Sequence, residues 1–168
     1  MTIDGLLQNA RALRQGLAGG SLIRETLKGH GDEIAEQQRI QLLEGKGSDG
    51  NDLHPFYSED LKPSGYFRTR DSAQRYAAWK QTINYPFTVK RNPDAPNLYI
   101  TGIFHNDLGV DFREDVVAIV PDTAYAAKIM GKYGYGVFGL CMEKWGIIFD
   151  EKGAKDELVE RVRDLLWQ

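Results

Sequence analysis

The most constraining feature of this chain is a set of apolar runs between Leu98 and Val120 joined by only a few residues each. The first, Leu98-Tyr99-Ile100-Thr101-Gly102-Ile103-Phe104, is rich in β-branched and aromatic residues, the composition of a strand. In the second, Val110 and Phe112 alternate with Asp111 and Arg113, as in a half-buried strand. The third, Val116 to Val120, reads as a buried strand stopped by Pro121. His105-Asn106-Asp107 and Glu114-Asp115 offer turns between them. A parallel pair needs a crossover of a dozen or more residues, so these runs predict a small antiparallel meander. Trp145 to Phe149 is apolar enough to add a strand.

Helical spacing frames this β region on both sides. Leu6, Leu7, Ala10, Leu13 and Leu17 share one face, and Gly19-Gly20 ends that run. Ser21 is placed to cap a second, longer helix reaching about Glu44, with a kink or break expected at Gly29-His30-Gly31 because glycine is unfavourable in a helix interior. Asp71 and Gln74 form a capping-box pattern ahead of a short helix over 72–80. Asp122 or Thr123 is placed to cap another from Ala124 to Lys132, ended by Gly134. Near the end, Leu158, Val159, Val162, Leu165 and Leu166 share a face, with Glu157 and Arg161 an i,i+4 pair. Gly45 to Pro63 reads as a polar loop, and Asn84 to Asn97 as irregular chain.

The expected architecture is therefore α+β in one domain spanning 1–168. It comprises a helical N-terminal part (1–44), a loop-rich basic and aromatic part (45–97), and a sheet with a C-terminal helix (98–168). A chain of 168 residues with 42% hydrophobic content can bury a core without a disulfide or metal. The one cysteine, Cys141, has no internal partner and suits a reducing compartment. No apolar stretch approaches the ~18 residues of a membrane helix, and the N-terminus has no secretory pattern. These features point to synthesis in a cytoplasm and to no membrane partner.

Motifs that would carry chemistry fail their context. Gly45-Lys46-Gly47-Ser48 resembles a phosphate loop, but Ile40 and Gly47 occupy its first glycine and hydroxyl positions, and a helix rather than a strand precedes it. Gly134-Tyr135-Gly136-Val137-Phe138-Gly139 matches G-x-G-x-x-G, yet a helix precedes it and a strand follows, the reverse of a dinucleotide fold. Asp49, Asn51 and Asp52 lack the glycine and distal glutamate of a calcium loop, with Asp60 at the twelfth position. His30, His54 and His105 lack zinc spacing. Cys141 has no recognisable base and reads as a buried thiol. No catalytic residue, cofactor, metal or small-molecule substrate is expected. An enzyme reading would need a deep pocket holding His54 or His105 beside a carboxylate.

Charge distribution gives the strongest local signal. Lys62 to Arg91 holds seven cations (Lys62, Arg68, Arg70, Arg75, Lys80, Lys90 and Arg91) and one anion, Asp71. Its net charge is +6, against −3 for the whole chain and therefore −9 for the rest. Tyr66, Phe67, Tyr76, Trp79, Tyr85 and Phe87 are interleaved with these cations. Lys62, Arg68, Arg70, Arg75, Trp79, Lys80, Lys90 and Arg91 are the candidate partner or nucleic-acid surface. Cations neutralise phosphates and rings stack bases, but arginine and aromatics are equally enriched at protein interfaces. Buried rings with a solvated cationic rim is the third option.

Four phrases, in order, resemble tailed-phage and prophage virion-assembly proteins of the neck or tail-completion (head-tail connector) type. They are the Gln- and Leu-rich helix Glu36-Gln37-Gln38-Arg39-Ile40-Gln41-Leu42-Leu43; the loop Gly45, Ser48-Asp49-Gly50, Leu53, Pro55, Tyr57 and Ser58; Leu98, Ile100, Thr101, Gly102 and Phe104; and Lys132-Tyr133-Gly134 with Phe138-Gly139-Leu140. The resemblance covers roughly residues 30 to 142. It implies a non-catalytic structural protein made in the bacterial cytoplasm and carried in the virion. It also implies a homo-oligomeric ring with other virion proteins as partners. The alternative is a nucleic-acid-binding module that contacts DNA through residues 62–91.

Overall fold

The computed structural model describes residues 3–113 and 116–167. The class is α+β: eight α-helices and one two-stranded antiparallel sheet among the described residues. The helices are α1 (Ile3–Ala18), α2 (Ser21–Lys28), α3 (Gly31–Leu43), α4 (Arg70–Gln81), α5 (Ile103–Asn106), α6 (Ala126–Tyr133), α7 (Met142–Gly146) and α8 (Ala154–Trp167). A single turn of 3₁₀ helix (Tyr135–Val137) follows α6, and a π turn (Ile147–Glu151) follows α7. No helix among the described residues is long and apolar enough to cross a membrane.

α3 is the hub. Ile34, Leu42 and Leu43 are fully buried, each worth about 2 kcal/mol of burial. α3 packs against the hairpin and α7, while α8 lies across α1 and α2. One apolar cluster joins Leu27, Ile34, Leu140, Ile148 and Ala154; a second joins Leu42, Leu53, Phe104, Leu108 and Val137. A third is separate and aromatic: Tyr57 and Phe67 against Ala73 and Ala77 of α4.

The expected break at Gly29-His30-Gly31 is present and separates α2 from α3. Ser21 does not cap α2. Gly20 takes the N-cap position with φ 68° and no side-chain bond, while the Ser21 hydroxyl donates to the Gly16 carbonyl at 3.2 Å. α4 begins two residues earlier than its sequence pattern suggests. Thr69 is its cap, in a reciprocal box with Ser72 rather than through Asp71 and Gln74. No side chain caps α6.

The meander is a single hairpin, β1 (Leu108–Phe112) and β2 (Val117–Pro121), with Leu108 opposite Pro121 and Phe112 opposite Val117. β2 is half-covered rather than buried, and Pro121 belongs to it. The expected turn at Glu114-Asp115 lies outside the described residues. Leu98 to Phe104 is not a strand. Leu98 at φ 54° and Gly102 at φ 83° turn the backbone out of extended geometry, and Phe104 and His105 enter the core on α5. Trp145 to Phe149 is helical too, spanning α7 and the π turn. A short apolar run suits either period, and here Trp145 and Phe149 meet at i,i+4 spacing, ring centroids 6.2 Å apart.

Candidate functional site

Of the four stretches that carry the virion-protein resemblance, one is α3 itself and the other three pack around it, with Leu53 and Phe104 in one cluster with Leu42. Gln38 Nε2 donates to the Val137 carbonyl at 3.2 Å, and Gln38 Oε1 accepts from the Gly139 amide at 2.9 Å. Gln41 repeats the pattern: Nε2 donates to the Gly139 carbonyl and Oε1 accepts from the Cys141 amide, both at 2.8 Å. Both glutamines are fully buried, so each amide satisfies groups that would otherwise be costly to bury. Between them, Arg39 Nε donates to the His105 carbonyl at 2.8 Å and its Nη2 to the Leu108 carbonyl at 3.1 Å. The Gly45–Ser58 loop closes the ring of contacts, with the Ser48 amide donating to the Gly136 carbonyl at 2.7 Å. A Cβ on Gly139, whose φ is 133°, would sit 3.2 Å from Ser48 Cβ.

These contacts place the loop glycines and acids in structural roles. Lys46 pairs with Asp52 at 2.7 Å, and Asp52 accepts from Asn92 at 3.0 Å. Asp49 accepts from its own loop at Asn51, which holds its carboxyl below the usual range. Asp60 is buried and pairs with Lys132. Among the described residues, no three His, Cys, Asp or Glu side chains could hold a metal ion together. Cys141 is buried, as expected. His105 is buried against Tyr99 and Phe104, its Nε2 3.2 Å from the Asn97 carbonyl. Burial pushes its pKa down to about 4. His54 Nδ1 lies 3.2 Å from Glu59 Oε2, both side chains more than half exposed.

The basic segment divides. Lys80 is not on the surface: it is 1% exposed, donates to the Tyr99 carbonyl, and is pushed down to about 7 by burial and the nearby Arg91 charge. Arg91 is half-buried, donating to the Ala95 carbonyl at 3.3 Å and lying 5.6 Å from the Tyr85 ring centroid. Phe67 is core. Arg75 is exposed but paired with Asp71 at 2.8 Å. Lys62, Arg68, Arg70 and Lys90 are exposed and make no ion pair among the described residues. Arg70 lines a cleft with Glu59, Gln74 and Asp94 on another side of α4. The rings form one line of contacts that runs through the core, Tyr66–Phe67–Tyr76–Trp79, with neighbouring centroids 5.1–5.4 Å apart. Its two ends, Tyr66 and Trp79, are open to solvent, and Arg75 lies one turn from Trp79.

A second surface has no counterpart in the sequence reading. An apolar groove of about 480 Å³ runs between α6 and the Leu98–Phe104 segment. Ile100, Ile103 and Tyr125 stand more than half exposed on its walls. Exposed β-branched residues in a run read as strand were the only available signal. No protein-family model, curated protein or solved structure matches this chain.

Proposed function

We propose that this protein is a non-catalytic assembly component of a tailed-phage or prophage virion, one that joins head to tail or completes the tail. It would be made in the bacterial cytoplasm and act as a homo-oligomer in contact with other virion proteins. The observation that supports this reading is the convergence on α3. Four phrases spread over more than a hundred residues bear the resemblance; one is α3 itself, Gln38 and Gln41 bond Gly139 of the last, and Leu53 and Phe104 of the other two share an apolar cluster with Leu42. They form a connected scaffold rather than scattered coincidences. The outward surfaces, a ring-lined face and an apolar groove, suit contact with other proteins.

The test is to delete the gene from a phage or prophage that carries it and examine the particles. The expected result is separate heads and tails or incomplete tails, with the protein detected in wild-type virions. Normal particles from the deletion, with no protein in purified virions, would remove the reading.

The two exposed ends of the ring line, Tyr66 and Trp79, favour one alternative, binding of single-stranded nucleic acid. Stacking on Tyr66 and Trp79 with Lys62 and Arg68 on phosphates predicts affinity that falls steeply with salt. Arg68→Ala with Arg75→Ala should flatten the salt slope. Absent or salt-insensitive binding rejects this alternative.

A further inference from the structure

α6 forms one wall of the apolar groove, yet none of its residues is buried. Ile129, Met130 and Tyr133 are only half-covered, although they face the second core cluster. A helix in that position buries an apolar stripe when its neighbour is complete. Across the groove, Ile103 is 60% exposed. At the rim stands Lys128, exposed and without an ion-pair partner among the described residues. An apolar groove with a free cation calls for an apolar group beside an acid.

The chain itself offers such a group. The outward face of α8 carries Val159 and Trp167, the latter 70% exposed, together with Asp156, Glu160 and Asp164. Glu160 is engaged by Arg163 at 2.7 Å. Asp164 has no ion-pair partner among the described residues and sits in the last turn of α8, which holds no basic residue. The partial negative charge of a helix C-terminus disfavours an acid there and favours a cation. Both patches are open in the same molecule, so neither covers the other.

We propose that the last turn of α8 from a second copy of this chain occupies the groove. Trp167 packs against Ile103 and Phe104, and Asp164 meets Lys128. The two patches differ, so the contact is head-to-tail and builds a chain or a closed ring. Only its closure into a ring rests on the virion reading; the contact itself does not.

Sedimentation velocity over a concentration series tests it on the purified full chain. Wild type should grow in mass with concentration. Trp167→Ala and Ile103→Asp should each weaken association by about tenfold or more, as for a central anchor, with unchanged circular dichroism. Mixed together, they should form a dimer and stop, because one intact groove and one intact α8 end remain. Lys128→Glu and Asp164→Lys, both exposed changes that leave the core alone, should each weaken association, and their mixture should restore both contacts, one as in wild type and one with the charges exchanged, so that growth resumes. A wild type that stays monomeric to about millimolar concentration, variants with no effect, or mixtures that fail to pair would overturn the contact. None of these results bears on whether the protein is found in virions, so the two ideas fail separately.

Discussion

α3 and α4 are helices of 13 and 12 residues, yet they bury different chemistry. α4 turns Ala73 and Ala77 inward and lets Tyr57, Phe67 and Tyr76 close over them, a small-on-large fit held by ring contacts. α3 turns Gln38 and Gln41 inward and uses them as a substitute for a neighbouring strand, pairing with the backbone of residues 137–141. The α4 packing leaves rings and cations at the surface. The α3 packing pairs both ends of the Gln38 and Gln41 amides, while Gln37 Oε1 stays buried without a hydrogen-bond partner among the described residues. The difference teaches that a helix can be central because of what its side chains hydrogen-bond, and that surface available to partners collects where ring contacts dominate the packing.

Substitutions can break or sharpen this contrast. The largest effect should come from Phe67→Ala, which empties the α4 cluster and should cost about 4 kcal/mol in urea unfolding. Retention of full stability would show that the α4 cluster contributes little.

Next is Gln41→Leu. It fills the same space but leaves the Gly139 carbonyl and the Cys141 amide without partners, and should cost about 3 kcal/mol. A Leu variant as stable as wild type would mean that the glutamine pairing is dispensable and the contrast false.

Sequence legibility follows the same divide. The α4 lobe was largely readable: the helix over 72–80 and its rings carry ordinary signals, while its cap was displaced to Thr69 and Lys80 turned inward. The α3 surroundings were not. Glutamine at positions 38 and 41 looks like solvent-facing helix, and nothing local says that residues a hundred positions away need its amide. Leu98–Phe104 and Trp145–Phe149 were misread as strands because β-branched and aromatic content reports burial and shape rather than hydrogen bonding. Leu98 and Gly102 at positive φ, and the Lys80 bond to the Tyr99 carbonyl, are decided by tertiary contacts. Of the eight candidate surface residues, Lys80 lies in the interior and Arg91 is half-buried, because a cation's burial depends on partners that sequence spacing does not reveal.

A third test concerns the seam between the two regions, where Lys80 of α4 reaches Tyr99 and Tyr99 packs on His105. His105 is held neutral by burial, with its pKa near 4 against an ordinary value of 6.5. Below pH 6.5 the unfolded chain binds a proton that the folded chain refuses, so this contribution fades as pH falls from 6.5 to 4. Acid should therefore cost about 2–3 kcal/mol over that window, and His105→Gln should flatten that part of the stability profile. An unchanged profile would place the acid sensitivity elsewhere. Lys80 works in the same direction at higher pH, since its pKa near 7 lies below the ordinary 10.5; stability should rise as pH increases from 7 to 10.5.

The smallest effect belongs to the surface. Arg75→Ala removes an exposed pair with Asp71 and should change stability by less than about 0.5 kcal/mol. A larger loss would mean that the cationic face of α4 is part of the fold rather than a surface left for others.

The paired amides of Gln38 and Gln41 also set a registration. Each uses its donor and its acceptor on two alternate residues of the strip, and Gly139 is bonded by both, its amide by Gln38 and its carbonyl by Gln41. Sliding the 137–141 strip by a single residue along α3 would turn all four partner groups away from the two glutamines together, because successive residues of an extended chain face opposite sides. The strip therefore has one seat, and the loop between α6 and α7 is indexed to the central helix like a key cut for two tumblers.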